Sequence, residues 1–361
     1  MCLTNLRGTV AQSLRPVLAA FVGLLIGVGL TAFAGENPWQ VFVVIVQGAV
    51  GTSYDLGMTL FYATPLIFTG LAVALPFRAG LFNIGAEGQL LMGAVTVTAL
   101  GVCLPTIPAP YNAVLAVAAA FLGGALWGAI AGWLRAYRGS HEVITTIMLN
   151  FIAAGLTSWM VLTLLPSADT QNPESAKIGV SYLWHAFSVF GGAPVTWALP
   201  LAVIIAGAIW LGLKYTVRGF ELRATGLNAE AARFAGIDTR LTQLWVMAIG
   251  GGLGGLVGVA EICGNSGRFR LGFSPDYGFI GIPVALMARA HPLGLIASAL
   301  MFGVLQKGTS ELDLETDHVT KDLAGLIQAM VVLAVSAEGA WSWIKELRRQ
   351  RLAKGGDKAH G

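Results

Sequence analysis

Long apolar runs alternate along the chain with short clusters of Gly, Pro, Asn and charged residues. Ten of these runs read as spans, most of them near the roughly 20 residues that carry a helix across a bilayer, with the eighth and ninth short. They fall near 17–34, 56–76, 84–104, 113–134, 143–165, 196–213, 242–262, 278–288, 293–306 and 323–341. The ten-residue alternation of a membrane barrel is absent, so every span is expected to be helical. The pattern therefore predicts an all-α polytopic membrane protein of about ten transmembrane helices, with broken or re-entrant segments. Its expected parts are a segment at 1–16, a transmembrane domain at 17–341 with a loop at 214–241, and a basic tail at 342–361.

Composition agrees with a lipid environment. The chain is 55% hydrophobic and 11% charged with a mean hydropathy of +0.71, whereas soluble domains carry about 25% charged residues. The net charge of +3 says little, but its distribution says more. Seventeen of the 22 Lys and Arg fall on one side of the ten-span map, among them Arg78, Arg135, Arg138, Lys214, Arg218, Arg223 and the tail from Lys345. The opposite loops hold Lys177, Arg268, Arg270, Lys307 and Lys321. Basic residues resist translocation, so the richer side and both termini are expected to be cytoplasmic, in a plasma membrane crossed many times. Arg7 and Arg15 before a run ending Ala32-Phe33-Ala34 resemble a signal peptide. That run is longer than a usual signal core, so it is read as an anchor.

Several chemistries are missing. No Gly-Lys dipeptide occurs, which excludes a phosphate-cradling loop. The G-x-G-x-x-G at Gly250, Gly252 and Gly255 lies inside an apolar run with no strand before it, and close helix packing by small residues explains it better. His141-Glu142 begins like a zinc-protease helix, but Thr145 stands where the second His belongs. Cys2, Cys103 and Cys263 have neither metal nor disulfide spacing. No metal site, no cofactor in this chain and no enzyme activity are expected.

The loop between the sixth and seventh spans contains "NAEAARF", with Asn228 as N-cap, Glu230 in the first turn and Gly236 at the stop. A helix this short needs a surface to rest on, on this chain or a partner. A solvated loop that only fixes topology is the plain alternative. The stretches "GLNAEAARFAGI", "GLFNIGAEGQLLMGA", "HEVITTIMLNFIA" and "DYGFIGIPVALMARAHPLG" resemble permease subunits of bacterial ATP-driven importers for simple sugars, branched-chain amino acids and nucleosides. The likeness is greatest to the larger permease of nucleoside-type importers and runs from the second span to the tenth. It implies a second permease, a cytoplasmic ATPase that binds the ATP, and an external substrate-binding lipoprotein, with no nucleic acid involved. The short helix would then be a coupling helix, with Glu221, Arg223, Gly226, Asn228, Glu230, Ala231, Ala232, Arg233 and Phe234 meeting the ATPase.

Ionisable residues in a span cost about 2.5–3.5 kcal/mol on insertion scales, so Glu87 and Glu261 draw attention. Glu261, near Asn265 and Arg268 at the expected outer end of its span, reads as structural. Glu87 lies among Gly80, Gly85, Gly88 and Gly93, which points to an interrupted helix lining a cavity. The segment Pro275–Gly294 is a possible counterpart, because paired broken segments mark substrate paths in transporters. The candidate path residues are Asn83, Glu87, Gln89, Asn150, Tyr277 and Phe279, with Thr145 and Thr146 beside them. Two readings compete with a path: Asn83, Glu87 and Gln89 only cap the third span, or Asn150 only bonds a neighbouring helix. The rival function is an ion-coupled secondary transporter using Glu87, which would need no coupling helix. Outside, Ser167–Pro194 and Glu311–Asp322 either dock a binding protein or are simply solvated.

Overall fold

The computed structural model describes residues 18–168, 171–312, 325–335 and 337. The expected segment 1–16, most of the loop Glu311–Asp322 and the tail 342–361 lie outside the described residues. The described chain is helical, with only two isolated bridges, Pro166 to Ser175 and Glu174 to Arg270. Six helices are long and apolar enough to cross a membrane: α3 (Ser53–Arg78), α4 (Ala86–Cys103), α5 (Tyr111–Arg138), α6 (Glu142–Leu164), α7 (Ala198–Tyr215) and α10 (Thr239–Ser266). Shorter apolar helices are α1 (Leu18–Ala34), α2 (Pro38–Val50), α11 (Tyr277–Met287) and α13 (Gly325–Val335). Gly294–Ser310 forms α12, and α8 (Val217–Leu227) and α9 (Ala229–Phe234) lie between α7 and α10.

Helix α2 has no counterpart among the ten expected runs. Its 13 residues carry Gln40 and Gln47, end just before the Gly51-Thr52 bend and lie between two longer runs, so in the sequence it merges with the connector. Lys307, assigned to an outer loop, lies instead in the last turn of α12, where its ammonium is 3.2 Å from the Asp55 carboxylate.

The chain divides into two compact units, Met1–Gly48 with Gly308–Gly361, and Ala49–Lys307. In the first unit Val28, Val41, Ile45, Leu312 and Ile327 share a buried cluster. Glycines let α1 approach α13 closely: a Cβ at Gly27 would sit 2.9 Å from the Ile327 Cα.

In the second unit α3 and α10 form the interior, whereas α5, α6 and α7 leave most of their length on the outside. The capping box of Thr52 and Asp55 starts α3, each side chain meeting the other's backbone N–H. The glycine run on α10 packs against α5. A Cβ at Gly124 would collide with the Gly251 carbonyl, and one at Gly255 with the Ala120 carbonyl. Gly93 of α4 meets Gly255 in the same way, so three helices touch through backbone alone. This is how small residues hold helices together in lipid, where apolar side chains gain nothing by leaving their surroundings.

Candidate functional site

The path between α3 and α4 is not a surface turn. After Arg78 the chain continues as non-helical backbone over Leu81–Ile84, with Leu81 and Asn83 buried, before α4 begins at Ala86. Buried peptide groups need partners, and side chains supply them. Pro76 has no N–H, which leaves the Ala72 carbonyl without its helical donor. Asn83 Nδ2 donates to that carbonyl at 3.0 Å. Asn83 Oδ1 accepts from Gly85 N at 3.0 Å and from Gln89 Nε2 at 3.1 Å, and Asn83 Nδ2 also reaches Gln89 Oε1 at 2.9 Å. From α6, Asn150 donates to the Ile84 carbonyl at 2.9 Å and accepts from Gly88 N at 2.8 Å. Ala72 is six residues before Arg78, so this clamp lies about 9 Å inside the end of α3.

At that depth the second broken segment arrives. A loop after α10 leads to Asp276, whose φ of 61° turns the chain sharply into α11. Glu87 Oε2 accepts from the Gly278 backbone N–H at 2.8 Å and also meets the Ser274 side chain. The carboxylate thus caps the exposed amides at the start of α11 and complements its positive dipole end. Helix α11 has 11 residues and rises only about 16 Å, roughly half a bilayer, beside the second half of α3. Tyr277 turns the other way, toward Glu261, whose carboxylate also accepts from Asn265 Nδ2 at 3.3 Å. Arg268 pairs instead with Glu174, which holds Arg270 as well at 3.3 Å.

A cavity of about 290 Å³ opens beside this junction. Its walls are Glu87 and Leu91 of α4, the Ile147–Ser158 face of α6, Phe269–Ser274 and Phe279. A few polar groups, Glu87, Asn150, Thr157, Ser158 and Ser274, stand among apolar ones, the usual make-up of a small-molecule site. Of the six candidate residues, Glu87, Asn150 and Phe279 line this cavity. Asn83 and Gln89 face the broken backbone, and Tyr277 faces Glu261. Thr145 and Thr146 bond back to His141 and Glu142 on their own helix. Ser274 and Glu174 escaped sequence reasoning. The polar "SPD" before a glycine-rich apolar run is the signal that could have marked Ser274 as part of a helix start.

The loop after α7 is helical from Val217, earlier than the sequence suggests. Asn228 Oδ1 accepts from Glu230 N and Ala231 N, both at 3.0 Å, and Gly236 with φ 87° ends the turn. A Cβ at Gly226 would strike the Arg78 carbonyl, and Gly80 lies against the Gly226 backbone. Helix α8 therefore rests on the beginning of the α3–α4 break. Ala232 is buried and Glu221 pairs with Arg218. Leu227 is 89% and Phe234 95% exposed, an unusual display for large apolar side chains at a helix junction.

Comparison with known proteins places this geometry. Residues 56–336 match the family described as branched-chain amino acid transport system / permease component. The glucose ABC transporter permease protein TsgB13 of Haloferax volcanii is 36% identical over 88% of this chain and 85% of its own length. The guanosine ABC transporter permease protein NupP of Bacillus subtilis is 32% identical, over 91% and 94%. The nucleoside ABC transporter permease protein NupB of Lactococcus lactis is 31% identical, over 90% and 91%.

Proposed function

We propose, on the premise that this chain belongs to the branched-chain amino acid transport system permease family, that it translocates nucleosides or simple sugars through an ATP-driven importer. The chain is a multi-pass membrane permease and not an enzyme. In this reading an external binding protein delivers the substrate, a second permease completes the path, and a separate ATPase supplies the power. Both termini lie in the cytoplasm.

One observation carries the reading. The α8–α9 element sits backbone to backbone on the Arg78–Gly80 turn, and that turn leads directly into the clamped break, Glu87 and the cavity. A rigid element that touches the start of a broken helix is what an external motor needs to move it. Within the coupling set, Gly226 and Ala232 anchor the element to the membrane helices. Phe234, with neighbouring Leu227, offers the apolar knob for an ATPase groove. Exposed Glu230, Ala231 and Arg233 surround that knob, while Glu221 and Asn228 keep the helices in shape.

The mixed lining of the cavity suits a polar solute with an apolar face, handled loosely and released. A second permease laid against α6 would close its remaining side. Glu87 is engaged as the α11 cap, which leaves an ion-coupled carrier without an observation in its favour. The test is uptake of radiolabelled nucleosides and sugars into vesicles that hold this chain, its partner permease, the ATPase and the binding protein. Uptake is expected only with ATP and only with all components. Uptake by this chain alone under a proton gradient would reject the reading.

A further inference from the structure

On the α8 side of the second unit a cavity of about 230 Å³ lies away from Glu87. Arg78 ends α3, Trp210, Leu213 and Lys214 end α7, Arg223 comes from α8, and His291 and Pro292 come from the turn before α12. No carboxylate lines it. Arg78, Lys214 and Arg223 form no ion pair among the described residues, and the nearby acid Glu221 is engaged with Arg218 at 3.1 Å. Arg223 is close enough to Arg78 for the two charges to repel, and Arg78 bears in turn on His291.

The cations are also held in place. Arg78 Nε donates to the Ala290 carbonyl at 2.6 Å, in a turn where Arg289 and Ala290 both take positive φ of 50° and 52°. One edge of the guanidinium is fixed and its outer nitrogens have no partner among the described residues. Lys214 Nζ lies 5.1 Å from the Trp210 ring centre and 5.0 Å from that of Tyr215. Side chains that place three like charges around a void of roughly eight water volumes are poorly explained by packing alone.

We propose that this cavity binds a phosphate group, of the kind carried by anionic phospholipid headgroups or by soluble phosphate compounds. A phosphate group carries its anionic oxygens on a tetrahedral centre, and even a diester's two non-bridging oxygens each accept from more than one donor, so it can meet the two guanidinium forks and the ammonium from different sides. Trp210 and Tyr215 supply aromatic rings of the type that settle at headgroup level. A bound phosphate would tie α3, α7, α8 and the α11–α12 turn together, and so hold α8 against the break.

The experiment uses the full purified chain without ATPase or substrate, so its outcome is independent of the transport reading. Nanodiscs of neutral phosphatidylcholine are compared with discs containing phosphatidylglycerol, and retained lipids are counted by native mass spectrometry. Wild type is expected to keep phosphatidylglycerol. Lys214→Gln and Arg223→Gln should each bind it about fivefold more weakly, and Lys214→Arg should bind it as wild type does. In neutral discs, inorganic phosphate should raise Tm more than chloride at equal ionic strength in wild type, and less in the Gln variants. Lipid retention that falls in the two Gln variants supports the site and names a lipid source; a phosphate response that falls in them, without that lipid difference, supports the site and names a soluble one. Equal lipid counts in all four proteins, with no phosphate response that separates them, would overturn the proposal.

Discussion

The α3–α4 break and the α8–α9 junction treat their exceptional residues in opposite ways. In the break, polar side chains lie inside an apolar domain: Asn83, Asn150 and Glu87 each turn inward onto peptide groups that lost their helical partners, and Gln89 braces Asn83. At the junction, apolar Leu227 and Phe234 stand outside the membrane helices and turn away from them. The first region is complete within the chain. The second leaves its large apolar side chains uncovered by the chain.

The strongest way to break this contrast is to remove an internal partner. Asn83→Leu would leave the Ala72 carbonyl, Gly85 N and Gln89 unsatisfied, at about 1–3 kcal/mol for each buried group. Loss of monodisperse protein on size-exclusion chromatography is the expected result. A variant that elutes and melts like wild type would show that the break does not depend on its clamp.

Next in size comes the junction. Leu227→Ala with Phe234→Ala should leave Tm unchanged, because neither side chain packs inside the chain. ATPase affinity should fall by about 2–4 kcal/mol, the range of interface hot spots, and ATP-dependent uptake should fall with it. Undiminished co-purification of the ATPase would remove these residues from the coupling surface.

Glu87 sharpens the comparison from within. Glu87→Ala removes the α11 cap and should cost about 1–2 kcal/mol in thermal stability. Glu87→Gln keeps an oxygen for Gly278 N and should transport under ATP nearly as well as wild type. A Gln variant that folds but is inactive would restore the carrier reading.

The smallest effect concerns His291, outside the spans. Burial, and after it the Arg78 charge, hold its imidazole below the usual value. Its neutral form also accepts from Gly294 N at 3.3 Å through Nδ1. Because the unfolded chain takes up the proton first, this residue's contribution to stability is lost as pH falls from the ordinary imidazole range toward the lower folded value. Wild type should therefore lose slightly more Tm than His291→Gln over that acid interval, and added phosphate should narrow the gap.

The long helices were legible because length and apolarity are properties of the sequence itself. The α9 cap at Asn228 was legible because an N-cap binds its own next residues. Helix α2 was not, since its 13 residues carry Gln40 and Gln47 and are parted from the longer runs on either side only by short polar breaks. The polar residues of the site were recognisable as exceptions, but their facing was not. Whether Asn150 lines a cavity or bonds Ile84 depends on where α6 packs, and the structure has it do both. The approach of Tyr277 to Glu261 likewise goes with a loop before α7 whose Glu174 takes the Arg268 cation.

The Glu87 cap also sets an order of assembly. Glu87 and Gly278 are separated by 191 residues, and at ribosomal speeds of about 5–20 residues per second their meeting is delayed by roughly 10–40 s. Arg78 waits longer still, 212 residues, for the carbonyl of Ala290. The first half of the chain thus enters the membrane owing Glu87 a partner that has yet to be synthesised. A ribosome stalled before the "SPDYG" stretch would leave Glu87 with no helix start to cap.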